Sequence, residues 1–116
     1  NVNRGGSLIQ HMSAPHREEA PVLVFMHEVD LGEHASELGL TDSKVQASCY
    51  HHQVLANLGE GVEAIAHAES GNVEAVKYST LDWGYGVQWH PEDNYEEDTA
   101  QLEMLKRFVA AAAKRS

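Results

Sequence analysis

A mixed α/β domain, rich in short strands and closed by one amphipathic helix, is the fold class this sequence predicts. Three observations predict it. Two neighbouring segments, "GVEAIAHAES" and "NVEAVKYS", alternate apolar and polar residues about a Ser70-Gly71-Asn72 turn, which is the period-two pattern of a hairpin. The run "VLVFMHEV", residues 22–29, is apolar and β-branched, the composition of a strand. Residues 95–114 instead repeat Leu102, Leu105, Val109 and Ala112 at helical spacing, one apolar stripe that has to pack on a sheet face.

The elements follow in order. The opening "NVNR" reads as the last turn of a helix, ended by Gly5 and Gly6 in the left-handed conformation. So short a piece is not a stable helix by itself, so the sequence is expected to begin inside an element. Residues 10–21, "QHMSAPHREEAP", are polar with two prolines and read as a loop. After the strand of residues 22–29, "GEHASELGL" predicts a short helix over 33–38 closed by Gly39. "KVQASCYHHQVL" begins as a short strand and runs into a histidine pair. The hairpin comes next, then "GYGVQWH", a further short strand whose glycines allow close backbone approach. Asn94 is expected to cap the final helix, with Glu97 three residues on as reciprocal partner. Glu96, Glu97 and Asp98 then sit at the positive end of its dipole, and Lys114 and Arg115 at the negative end.

Composition narrows the function classes. At 116 residues the chain is one domain at most. With 18 acidic against 8 basic side chains the net charge is −10, which makes nucleic acid and anionic membrane poor partners. No apolar run reaches the roughly 20 residues that span a bilayer, and no signal-peptide pattern opens the chain. The single cysteine, Cys49, excludes an internal disulfide framework and fits a reducing cytoplasm. Eight histidines raise the question of metal. His11, His16, His27 and His34 have possible partners in Glu28 and Glu33, but "HEVDLGEH" spaces its histidines seven apart and lacks the H-E-x-x-H of a helical zinc site. Surface histidines on loops fit this spacing better, and no metal or cofactor is expected; a histidine-rich metal binder stays the rival reading.

The chemistry concentrates at "YGVQWHPED", residues 85–93. If residues 87–90 are extended, alternation points His90 and Glu92 the same way, and Pro91 stiffens the connection and keeps His90 extended. A carboxylate beside one ring nitrogen selects the tautomer and stabilises the imidazolium, leaving the other nitrogen to act as a base. The bland alternative is a surface histidine and glutamate that begin the acidic run "EDNYEED".

"GVQWHPE", residues 86–92, resembles the histidine–glutamate signature of the class I glutamine amidotransferase superfamily. The rest of the chain is similar to one subgroup, the γ-glutamyl-γ-aminobutyrate hydrolases and their peptidase C26-like relatives. "NVNRGGSLIQ" is similar to the segment just after the nucleophile elbow, "YHHQVL" to the subgroup's double-histidine motif, "ESGNVEAVKY" to the hairpin that follows, and "MLKRFVAAAA" to the closing helix. The resemblance implies the C-terminal part of a three-layer α/β/α, flavodoxin-like fold with a mostly parallel sheet, a β-hairpin and a final helix. On that reading residues 1–116 are the later portion of a single domain whose N-terminal half, with the elbow, lies outside them.

By the same resemblance His90 is the general base and Glu92 its orienting carboxylate. A cysteine thiolate attacks a γ-glutamyl amide and the thioester is hydrolysed by water; an amidotransferase hands the ammonia to a partner, and a hydrolase releases it. The family's cysteine lies upstream of the position matching Asn1. Cys49 stands elsewhere, before the Tyr-His-His-Gln run, and reads as a small buried thiol. Ala47, Ser48 and Cys49 replace the usual valine, asparagine and serine, which puts substrate contacts there in doubt. The motif's place near the cleft implies substrate binding by His51 and His52, although neighbours on a strand face opposite ways; backbone-bonded histidines are the alternative. Gly5 and Gly6 match a family double glycine and lack the spacing of a phosphate cradle. Alone, the polypeptide is expected to be inert and, with apolar surface uncovered, to self-associate or take a companion chain. A non-catalytic binding or regulatory module of the same fold is the other alternative.

Overall fold

The computed structural model describes residues 1–9, 26–48, 53–93, 95–96 and 98–114, with the backbone alone at 26 and 27. Among the described residues, seven strands and one α-helix follow one another: β1 Leu8–Ile9, β2 Met26–Asp30, β3 Lys44–Ser48, β4 Val54–Leu55, β5 Val62–Ala68, β6 Val73–Tyr78, β7 Tyr85–Val87 and α1 Thr99–Ala113. Five of the strands form one sheet in the order β3-β2-β5-β6-β7, and β1 pairs with β4 in a small second sheet. The chain is therefore mixed α/β with a C-terminal helix, as the patterning predicts.

The central hairpin forms where alternation and turn chemistry agree. β5 and β6 pair in antiparallel register from Val62↔Tyr78 to His67↔Val73. Gly71 adopts φ 89° in the connection, a conformation open to glycine at little steric cost. A bulge between Ala64 and His67 breaks strict alternation, so Ile65 and Ala66 are both buried. On β6, Glu74, Ala75 and Val76 are all buried, so that strand is covered on both faces rather than half solvated.

The core lies between this sheet and a layer made by the 3-10 helix Gly32–Leu38 and α1. Val29, Val45, Ala47, Ile65 and Ala75 meet Leu31, Ala35, Leu38, Leu40 and Met104, with Trp89 at one end. The helix expected over 33–38 is thus present as a 3-10 helix, and Gly39 ends it at φ 79°. At the front, Val2–Arg4 is likewise a 3-10 turn ended by Gly5 at φ 92°. The Asn1 side chain ties that turn down: Nδ2 donates to the carbonyls of Ser7 and Asn57, and Oδ1 accepts from Gly59 N. A Cβ at Gly59 would stand 2.5 Å from the Arg4 carbonyl oxygen, so the close approach requires glycine.

Every strand pairing among the described residues is antiparallel; the mostly parallel sheet that the resemblance implies is that of the whole domain. Three expectations are corrected or narrowed. The strand through "GYGVQWH" stops at Val87, and residues 91–93 turn as a 3-10 helix. The final helix starts at Thr99, capped by Asp98, whose side chain accepts from Ala100 N; Asn94 and Glu97, the expected capping pair, lie outside the described residues. Its buried face carries Gln101 and Met104, whereas Leu105 and Val109 of the expected stripe are 40% and 64% exposed. The predicted loop over 10–21, the front of the strand over 22–29, and Cys49 also lie outside the described residues.

Candidate active site

The 3-10 turn brings together the two residues that alternation was expected to align. His90 Nδ1 stands 2.7 Å from Glu92 Oε1. An ionised carboxylate only accepts, so Nδ1 carries the proton and Nε2 is the basic nitrogen of the neutral ring. The bond from the ring, helped by the backbone, holds the Glu92 carboxyl below its ordinary range. The imidazole is two-thirds covered and the carboxylate two-thirds exposed. The pair can take a proton at Nε2, with the carboxylate balancing the charge that develops on the ring.

Elements on both sides hold the turn. From β3, the Ser48 carbonyl accepts from His90 N at 2.9 Å, and the Ser48 hydroxyl donates to Asp93 Oδ2 at 2.8 Å. From α1, Gln101 Oε1 accepts from Trp89 Nε1 at 3.0 Å, while its Nε2 donates to the Gln46 carbonyl at 2.9 Å. Gln101 and Ser48 are fully buried and Trp89 nearly so; buried polar atoms need such partners. From β6, the Glu74 carbonyl accepts from Gln88 N at 2.8 Å. Sequence reasoning missed Ser48, Asp93, Trp89 and Gln101. The one signal was serine in place of the usual asparagine at Ser48; Gln101 lies off the predicted apolar stripe.

His51 and His52 lie outside the described residues, as do His11, His16 and the side chain of His27. Among the described residues no three His, Cys, Asp or Glu side chains converge as metal ligands would, and no helix is long and apolar enough to cross a membrane. A second polar cluster, unanticipated, lies on the helix-layer face. Glu37 accepts from Lys77 and meets His34 Nδ1 at 2.6 Å, which lowers its carboxyl and raises the Lys77 ammonium. Trp83 packs edge-on against Tyr85 above it, with ring centroids 4.8 Å apart, and burial pushes the Tyr85 phenol up.

Known proteins of one family resemble this chain. The family model described as Peptidase C26 matches residues 1–92, which include His90 and Glu92. The chain is 34% identical over 109 residues to a glutamine amidotransferase-like protein, YvdE, of Lactococcus lactis, covering 94% of this chain and 44% of that one. It is 30% identical over 117 residues to protein NtpR of Enterococcus hirae, covering 94% and 49%. The chain thus spans just under half the length of these curated relatives. Among solved structures, a glutamine amidotransferase of Thermotoga maritima superposes with a TM-score of 0.57 at 14% identity, covering 96% of this chain and 40% of that one. A Thermoplasma acidophilum protein assigned to GMP synthase superposes with a TM-score of 0.75 at 18% identity, covering 98% and 52%. Likeness at that identity shows the fold: this is the α/β fold of class I glutamine amidotransferases.

Proposed function

The chain belongs to the Peptidase C26 family, and from that premise we propose that His90 and Glu92 serve a cysteine-dependent hydrolysis of a γ-glutamyl amide. The observation that supports it is the 2.7 Å contact between the His90 ring and the Glu92 carboxylate inside the matched segment. His90 Nε2 takes the thiol proton, and the thiolate attacks the γ-carbonyl carbon. The tetrahedral intermediate collapses as the imidazolium protonates the leaving amine, giving a thioester. Water, deprotonated by the same nitrogen, then releases glutamate and regenerates the thiol. γ-Glutamyl-γ-aminobutyrate is the substrate the subgroup resemblance favours, and the cytoplasm the expected site of action. The nucleophile and oxyanion donors come from a preceding segment of the domain or from a companion chain, with residues 1–116 as the later portion. His51 and His52 would contribute to the substrate cleft.

Hydrolysis of γ-glutamyl amides by the cysteine-bearing protein tests this. His90→Gln should lower kcat by about 100-fold or more, and Glu92→Gln by about tenfold, with KM little changed. The 116-residue polypeptide alone should turn over nothing. Wild-type activity in His90→Gln, or turnover by the short polypeptide that Cys49→Ala abolishes, would overturn the assignment.

A further inference from the structure

The described residues around the dyad point to a function for a hydrogen bond between two elements distant in sequence. Ser48, the last residue of β3, is fully buried. Its backbone and side-chain oxygens reach both ends of the 90–93 turn: the carbonyl accepts from His90 N and the hydroxyl donates to Asp93 Oδ2. The turn closes on itself through Asp93 N, which donates to the His90 carbonyl at 3.1 Å. A three-residue 3-10 turn has little stability of its own, and a buried hydroxyl that loses its acceptor is costly. Glu92 is mostly exposed, so its approach to the ring depends on the backbone between positions 90 and 93.

We propose that Ser48 and Asp93 are positioning residues for His90, a clamp from β3 that fixes the backbone on which the imidazole and Glu92 meet. The clamp rests on the reading of His90 as base for its catalytic consequence, while its effect on the ring is measurable without turnover. The bond holds the turn in register, so Nδ1 stays on Glu92 Oε1 and Nε2 keeps a fixed direction. Misplacing a catalytic group by about 1 Å costs up to 100-fold in rate. Asp93 therefore orients the turn by its side chain, through the bond it accepts from the Ser48 hydroxyl.

The test compares Ser48→Ala, Asp93→Ala and Asp93→Asn by kcat and KM and by nitrogen NMR of the His90 ring. Asp93 is exposed, so Asp93→Ala opens no core cavity; it leaves the buried Ser48 hydroxyl without this acceptor, and a urea midpoint recorded for each variant separates loss of fold from loss of the clamp. Asp93→Asn keeps an acceptor oxygen for the Ser48 hydroxyl. Both alanine variants should lower kcat about tenfold with KM within about twofold, and the double variant should be no worse than either single one. In both, the ring should drift from a pure Nδ1–H tautomer towards a mixture, while Asp93→Asn retains the wild-type kcat and spectrum. An unchanged His90 spectrum and kcat in Asp93→Ala would overturn the clamp, as would equal losses in Asp93→Asn and Asp93→Ala. Should His90→Gln keep full activity, the base assignment falls, and the ring spectra of the alanine variants still decide whether the clamp fixes the imidazole.

Discussion

Glu37 accepts from two donors at once, the Lys77 ammonium on β6 and the ring of His34 one helical turn back. Both contacts favour the ionised carboxylate, so its carboxyl titrates below the ordinary 4.5. A depressed carboxyl contributes stability that is present above 4.5 and is lost as pH falls through the lower folded-state value. Lys77 has the opposite sign. Its ammonium is raised above 10.5, so its contribution holds below 10.5 and is lost only as pH climbs through the higher folded-state value. Neutral pH lies inside both windows. Glu37→Gln should therefore lower the urea midpoint at pH 7, with the gap to wild type narrowing at an acid pH below 4.5. A gap of equal size at both pH values would rule the ion cluster out as its cause. Glu37 and Lys77 did not stand out in the sequence, because a Glu on a short helix and a Lys on a strand become partners only once the helix crosses the sheet; His34 was singled out only as a possible metal ligand. His90 and Glu92 were legible as a motif, but their contact forms through the 3-10 turn over residues 91–93 rather than through strand alternation.

Helix α1 shows where pattern reading stops. Leu102, Leu105, Val109 and Ala112 make the better apolar stripe on paper, and hydrophobicity alone selects it. Burial chose the neighbouring face, because Gln101 there satisfies both the Trp89 indole and the Gln46 carbonyl. That network fixes the rotation of the helix and sends Met104 into the core at 7% exposure. The consequence is measurable. Met104→Ala should cost about 2–4 kcal/mol of unfolding free energy as a core truncation. Val109→Ala, on the expected stripe, should cost no more than about 0.5 kcal/mol. Denaturant unfolding in which Val109→Ala is the more damaging change would restore the stripe as the buried face. The hairpin, by contrast, was readable to the turn residue, since alternation and Gly71 are local signals. The end of the strand before His90 was not: the switch from β7 to a 3-10 turn depends on Ser48 and Gln101, which are distant in sequence.

The helix rotation also determines what the surface offers. With Gln101 and Met104 inward, Leu105, Phe108 and Val109 are left exposed, together with Leu81 beside them. Leu81, Trp83 and Phe108 line one cleft with Ala111 and Ala112, and Trp83 and Phe108 stand 5.7 Å apart. Two physical effects compete here. A net charge of −10 keeps copies apart, and a contiguous apolar patch draws them together. Arg107 and Lys114 line the same cleft together with Asp82, so two basic side chains against one acidic make repulsion there weaker than the net charge suggests. The 116-residue polypeptide should self-associate through α1 at about 50 µM, the concentration range at which exposed apolar surface drives assembly. Phe108→Glu combined with Val109→Glu should return it to monomer, since an unpaired carboxylate in an apolar contact is costly to desolvate. Sedimentation velocity decides the matter. A compact wild-type monomer at that concentration, or a doubly charged variant that associates as strongly as wild type, would show that this face does not drive assembly.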